Sequence, residues 1–463
     1  MNKAIFLLFI LVFVVCYGRF IAGRDRNAYL IMTFFFIAIP FQFAIPVFKL
    51  HINTIGGTLG DSFSIVLPMI FVLYFATHKR FKFPPGLLQR NALVFSLVCL
   101  VSLFSFNNYG KLSSLIYLIF VLSHLICFAY FLYNFSSYAI VRALYVAFAF
   151  LSILQLFLAI CFPLLGITLV TRIFYDVAEQ WATRMGTRAG AVGVFTHPGN
   201  LALFTSISAM FFISCYLHDF KVRLSKYMLV ANILVVLLTF SRTSYLALFV
   251  SAVLLYLIFS QAHKNIFSFK NLLFFIFPAV IISIWVVYLS PFSELFLGED
   301  AADMYAARLL HWGIGLEIFQ KHYLLGVGLN AHLEYLDAYG LSLNAVDQNN
   351  EFILSNPIHS IHLIVLAELG LVGGLLWLYL IITITARGKN YIAYNKRYKK
   401  NRAGNILVLT SIGVVVCFII YGSTGWAPFS PGLFPFFLFF ISASFYLFRV
   451  ASSQRQRRLT VYS

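Results

Sequence analysis

A histidine and three arginines are the residues of this sequence best suited to chemistry. His359 stands in Asn356-Pro-Ile-His-Ser-Ile-His-Leu-Ile364, at the head of an apolar run that continues to about Thr385. Asn356 is a good N-cap and Pro357 suits a first helical turn, so the sequence predicts a helix from this point. The run is long enough to cross a bilayer, which sets His359 in the first turn of a membrane helix, at the water boundary. The positive end of a helix dipole disfavours imidazolium, so the ring is expected to stay neutral and able to accept a proton. The same helix end attracts an anion such as a phosphate. Arg188, Arg242 and Arg308 supply planar forks that donate two parallel hydrogen bonds to a phosphate. Arg242 lies in the turn Phe240-Ser-Arg-Thr243, with apolar runs on both sides. Together they describe a pocket that holds a phosphorylated, lipid-linked substrate while a base activates an acceptor. The competing reading is that these polar side chains only join helices.

Three further features bear on that pocket. His359 and His362 are three apart on one helical face, which suits a metal pair. No third ligand is at hand, because Glu368 is nine positions on and faces away from His359, so no metal is expected. His362 is then a packing or hydrogen-bonding residue. His197, in Val194-Phe-Thr-His-Pro-Gly-Asn200, is placed either to contact substrate or to open a helix before Pro198. The glycines of Leu324-Leu-Gly-Val-Gly-Leu-Asn330 permit close backbone approach, although a lone Gly-x-Gly is more often only a turn.

The elements that must position these residues are membrane helices. The 463 residues are 61% hydrophobic and 10% charged, with a mean hydropathy of +0.90. A soluble domain cannot hide that much apolar surface, so the chain reads as an all-α polytopic integral membrane protein. Apolar segments of spanning length occur near 2–18, 28–48, 62–77, 91–107, 113–134, 139–163, 197–216, 226–241, 242–260, 271–290, 359–385, 404–424 and 432–449, about thirteen spans. Arg19 to Arg26 follow the first of them in place of a small-residue cleavage site, so it reads as a retained anchor. Four regions follow: N-terminal transmembrane helices over 1–163, central helices with a first outer loop over 164–290, a large extracytoplasmic loop over 291–358, and C-terminal helices with a basic tail over 359–463. Within the large loop, Arg308, Trp312, Leu316 and Phe319 recur at four, four and three, which predicts an amphipathic helix over 303–320. The six cysteines all fall inside apolar runs, as small core residues do.

The net charge of +18 is explained by topology. With Arg387 to Arg402 in the cytoplasm, alternation outward from there gathers most basic residues into cytoplasmic loops, which satisfies the positive-inside rule. Nucleic-acid binding is therefore not expected. Arg188, Arg242 and Arg308 remain outside against that bias, which makes them candidates for function.

Four blocks occur in a telling order: Arg188-Ala-Gly-Ala-Val-Gly-Val-Phe-Thr-His-Pro-Gly-Asn200, then Ser241-Arg242, then Arg308, Trp312 and Gly326-Val-Gly-Leu-Asn330, and last His359-Ser-Ile-His-Leu-Ile-Val-Leu-Ala-Glu-Leu-Gly370. The ordered set resembles the O-antigen ligase and O-antigen polymerase (Wzy-type) superfamily of bacterial envelope glycosyltransferases, over about 184–375. Ser360 stands where the family commonly has Asn, and His362 where an aromatic is usual. The resemblance implies a GT-C type fold and a metal-independent, inverting transferase that needs no cofactor. Its donor would be a glycan on undecaprenyl pyrophosphate. On that pattern His359 is the general base, Arg242 and Arg308 bind the pyrophosphate, and Arg188 is a third cation. His197, Asn330, Ser360 and His362 are candidates for substrate contact. It implies a site facing the periplasm from the bacterial inner membrane, with membrane lipid, a chain-length regulator and a flippase of the same pathway as partners. Between the two activities, the departures on the acceptor side favour a polymerase over a ligase. A flippase for the same lipid-linked oligosaccharide is the reading from another class, but it should carry its polar residues along a midplane cavity.

Overall fold

The structure is a computed structural model and describes residues 28–41, 44–49, 62–66, 111–165, 190–195, 197–263, 299–339, 357–397, 401–426 and 429–462. Its helices are α1 (Ala28–Ala38), α2 (Lys111–Asn134), α3 (Ser137–Leu165), α4 (Pro198–Leu217), α5 (Val222–Leu238), α6 (Arg242–His263), α7 (Glu299–Lys321), α8 (His332–Tyr339), α9 (Ile361–Arg397), α10 (Arg402–Gly422) and α11 (Phe434–Tyr462). One antiparallel pair of strands, Ala44–Lys49 with Ser62–Val66, departs from the all-helical expectation. The segment expected to span at 28–48 is instead a helix of 11 residues, a 3-10 turn and the first of these strands.

Among the described residues, seven helices are long and apolar enough to cross a membrane: α2, α3, α4, α6, α9, α10 and α11. Each matches a span expected from sequence. The expected span at 226–241 is α5, which has 17 residues. Those at 2–18, 91–107 and 271–290, and all of 62–77 beyond Val66, lie outside the described residues.

Helix α10 is the centre of the bundle and packs against α4, α6, α9 and α11. Its small residues make this close packing feasible. A Cβ at Gly413, for example, would lie 2.9 Å from both Leu255 of α6 and Met210 of α4. Phenylalanine fills the space between the helices, with Phe35, Phe128, Phe131, Phe148, Phe204, Phe211 and Phe418 all fully buried. Phe418 stacks on Phe437 with ring centroids 4.4 Å apart. The exposed faces stay apolar, as on α3 (Phe150, Ile153, Phe157, Ile160) and α9 (Leu371, Leu375, Leu378, Ile382), which suits contact with lipid.

A second, smaller core sits beside the bundle. It joins Ile314 and Ile318 of α7, Val327, Leu333 and Leu336 to Ile358, Ile364 and Ala367 at the start of α9. The predicted amphipathic helix is therefore real, but its inward face is His311, Ile314 and Ile318, whereas Leu316 is 46% exposed. The expected stripe through Leu316 and Phe319 ran one step off the face that α9 covers.

The long helix α9 is broken inside by Gly370, at φ 61 and ψ −160. At the break the helix gives up its own bonds. The carbonyls of Ala367 and Glu368 accept from the amides of Val327 and Gly328 (2.9 and 3.0 Å). The amides of Leu371 and Val372 in turn donate to the carbonyls of Tyr323 and Leu324 (2.7 and 3.4 Å). Gly326, at φ +71, lies directly against the Glu368 backbone, and Gly370 against that of Leu324. No side chain fits at either place, so Gly326 serves close backbone approach and not merely a turn, while Gly328, at φ 114, brings its amide to the same break. This backbone stitch fixes residues 323–328 to α9.

Candidate functional site

The starts of α4, α6 and α9 and the end of α10 meet at one end of the bundle. Ser241 and Arg242 open α6 directly after the α5 turn, where Phe240 takes φ +53. Thr243 meets Thr424 at 2.7 Å between hydroxyl oxygens. Tyr421 near the end of α10 reaches Ser241 by a side-chain hydrogen bond and lies against Gly199, where any Cβ would overlap its hydroxyl. His197 caps α4: its Nδ1 accepts from the Gly199 amide at 3.0 Å, with Pro198 next in the chain. The helix-entry reading of His197 is the one this geometry favours, and its ring also lies 6.5 Å from that of Trp426.

His359 does not lie inside a helix. Residues 357–360 are non-helical and α9 begins at Ile361. Ser360, not Asn356, provides the cap, its Oγ accepting from the Leu363 amide at 3.4 Å; Asn356 lies outside the described residues. The His359 carbonyl accepts from Trp312 Nε1 at 3.3 Å, which ties it to α7. Arg308 sits one turn before Trp312 on that helix, and His311 lies three residues after Arg308, so these two share a face. The His311 and His359 rings lie 4.7 Å apart between centroids. Arg308 is close enough to lower the basicity of His359 and to act on Tyr421. Arg308 thus lies between His359 and Tyr421, and Tyr421 in turn reaches Ser241, the residue before Arg242.

The protonation of this cluster follows from burial. Burial first, and the Arg308 guanidinium second, hold His359 down to about 4, with the Pro357 carbonyl pulling weakly the other way. Burial and then His359 hold His197 to about 4. Burial, then His359 and His332, hold His311 to about 3. The neutral histidine expected from the helix dipole is therefore present for a different cause, desolvation beside a cation.

Other residues picked out from sequence are engaged elsewhere. His362 accepts from Trp377 Nε1 at its Nδ1 (3.1 Å) and donates from Nε2 to the Ile419 carbonyl (3.1 Å), so it joins α9 to α10. Asn330 is 3% exposed, and its Nδ2 donates to Ser113 at 3.0 Å while Ser113 donates to the Asn330 carbonyl at 2.7 Å. Arg188 lies outside the described residues. Among the described residues, no three His, Cys, Asp or Glu side chains are grouped so as to hold a metal ion.

Sequence reasoning passed over His311, His332 and Tyr421, and it set Glu368 aside as facing away from His359. His332 Nδ1 in fact lies 2.6 Å from Glu368 Oε1, in a pair buried on both sides. The spacing of three between Arg308 and His311 was a signal available for His311. Nothing in the spacing of His332 and Glu368 announces their pairing.

Residues 227–378 match the family model described as O-antigen ligase. The matched stretch contains Arg242, Arg308, His311, His332, His359 and Glu368, and it ends short of Tyr421. Over that segment the resemblance to the O-antigen ligase and polymerase superfamily is borne out. No curated protein matches the chain.

Proposed function

We propose that this multi-pass membrane protein, with an O-antigen-ligase segment over 227–378, is an inverting glycosyltransferase of the GT-C type. Its donor is a glycan on undecaprenyl pyrophosphate, and it acts on the outer face of the bacterial inner membrane. The observation that carries the reading is a neutral, mostly buried His359 held beside Arg308 at the mouth of a membrane helix. His359 takes the proton of the acceptor hydroxyl, whose oxygen attacks the anomeric carbon from the face opposite the pyrophosphate. The carbon–oxygen bond to pyrophosphate breaks, and Arg242 and Arg308 take up the charge that develops on the leaving group. Bound pyrophosphate also offsets the Arg308 charge, so donor binding strengthens His359 as a base.

The acceptor is a second lipid-linked repeat unit, which makes the enzyme a polymerase. The description of the matched family supports a second reading, transfer to a lipid A core or a protein. Purified protein supplied with a lipid-pyrophosphate-linked repeat unit and no other acceptor tests the choice, with products resolved by size. A ladder of longer lipid-linked glycans is expected. Transfer only after lipid A core or a candidate protein is added identifies a ligase, and no transfer under either condition refutes the transferase reading. Added chelator is expected to leave the rate unchanged. A chain-length regulator and a flippase of the same pathway are the proposed partners.

A further inference from the structure

Behind His359 lies a run of buried imidazoles that the transfer step does not use. His311 is 4% exposed and His332 0% exposed, each with one ring nitrogen buried and without a hydrogen-bond partner, Nδ1 of His311 and Nε2 of His332. His359 Nδ1 is in the same condition. A buried ring nitrogen that is never satisfied lowers stability by its lost hydration. Three of them in succession, one on the proposed base itself, are hard to explain as packing. The far end of the run is anchored: His332 Nδ1 meets the Glu368 carboxylate at 2.6 Å. The backbone stitch holds that pair, since the Glu368 carbonyl accepts from the Gly328 amide four residues before His332.

A base that has taken a proton in this site also has a difficulty. Its imidazolium would be buried next to Arg308, with His311 and His197 as further neighbours and Tyr421 across from the arginine. None of these can hold the charge at rest. The nearest carboxylate along the imidazole run is Glu368.

We propose that His311, His332 and Glu368 are positioning residues that carry the acceptor proton away from His359. This rests on the transferase reading above. His359 accepts the proton from the acceptor oxygen on one nitrogen and releases the one on Nδ1 toward His311. His311 releases its own toward His332, and His332 passes its Nδ1 proton to Glu368. The net change is one proton moved from the acceptor oxygen to the carboxylate, and no electrons are transferred. In the structure the His359 and His311 rings touch without a nitrogen-to-nitrogen bond; a turn of either ring or one bridging water closes the link. After product leaves, the proton returns along the same path to solvent.

The test uses the full-length protein with the lipid-pyrophosphate donor, comparing Glu368→Gln, Glu368→Asp, His311→Phe and His359→Ala with the natural chain. A relay predicts that Glu368→Gln and His311→Phe each lower kcat by at least about tenfold, in the range that proton-transfer groups contribute. Donor KM should stay unchanged, the pH profile should shift and the solvent deuterium isotope effect should rise. Glu368→Asp should recover part of the rate. Wild-type pH profile and isotope effect in either Glu368→Gln or His311→Phe overturn the relay. The two substitutions sit on different helices, so a folding defect in one, read by size-exclusion chromatography in detergent, leaves the other to decide. Full activity in His359→Ala instead overturns the transferase mechanism itself, which separates the two failures.

Discussion

Replacing Gly370 with Ala is expected to disconnect residues 323–328 from α9 while leaving the helix in place. At φ 61 and ψ −160 the backbone is in a region open essentially only to glycine. A Cβ there would lie 2.6 Å from the Leu325 amide nitrogen and closer still to the Leu324 carbonyl. Both obstacles are backbone atoms and cannot swing aside as a side chain would. Keeping the stitch therefore costs about 1–3 kcal/mol of conformational strain with the overlap added to it. Opening it forfeits the four bonds from Val327, Gly328, Leu371 and Val372, at about 1 kcal/mol each. The four bonds come to about 4 kcal/mol, about a thousandfold at about 1.4 kcal/mol per tenfold, and strain and backbone overlap together exceed that, so the stitch opens. Arg308, His311 and His332 flank the segment that would loosen, so the transfer rate should fall by about a hundredfold or more if the closed arrangement is required. Gly313→Ala is the matched control. Nothing lies within 4 Å of a Cβ at Gly313, and in a helix interior alanine is favoured over glycine by about 1 kcal/mol. The assay pairs transfer rate with hydrogen exchange at the amides of Val327, Gly328, Leu371 and Val372. Gly370→Ala protein with a rate within fivefold of the natural chain and those amides still protected would refute the reasoning.

The other expected outcomes concern the site itself. His359→Ala should abolish transfer while membrane insertion and expression persist, and a normal product ladder from that variant would remove the base. Arg242→Lys should lose most activity and donor affinity, because an ammonium cannot reproduce the two parallel bonds of a guanidinium; near-normal donor KM would argue against a pyrophosphate clamp. Arg308→Gln removes the cation that depresses His359, so the ring should protonate at higher pH and the acid limb of kcat/KM should move up from about 4 toward 6.5. An unmoved acid limb would break the link between Arg308 and His359. His197, His311 and His359 all have lowered values, so the folded protein favours their neutral forms. Their contribution to stability is complete above about 6.5 and is lost as pH falls toward the folded values. The apparent unfolding temperature in detergent should drop between pH 6.5 and 4, and His311→Phe should flatten that drop.

The membrane-spanning segments were legible in the sequence because apolar runs of spanning length are a local property. So was the turn carrying Arg242, set between two such runs, whereas His359 was read into the first turn of a helix that in fact begins at Ile361. What surrounds His359 was not legible, because burial and charge depend on distance in space and not on spacing. The inward face of α7 was settled by what packs on it, Ile358 and Leu363 against Gly315, so a stripe read from periodicity alone drifted onto Leu316. The stitch of Val327 to Ala367 and of Gly328 to Glu368 exchanges hydrogen bonds between residues 40 positions apart. It leaves only two glycine-bearing motifs as a trace. That exchange, which only the tertiary structure decided, brings His332 onto Glu368, because a broken helix must satisfy its freed backbone groups with whatever segment crosses it.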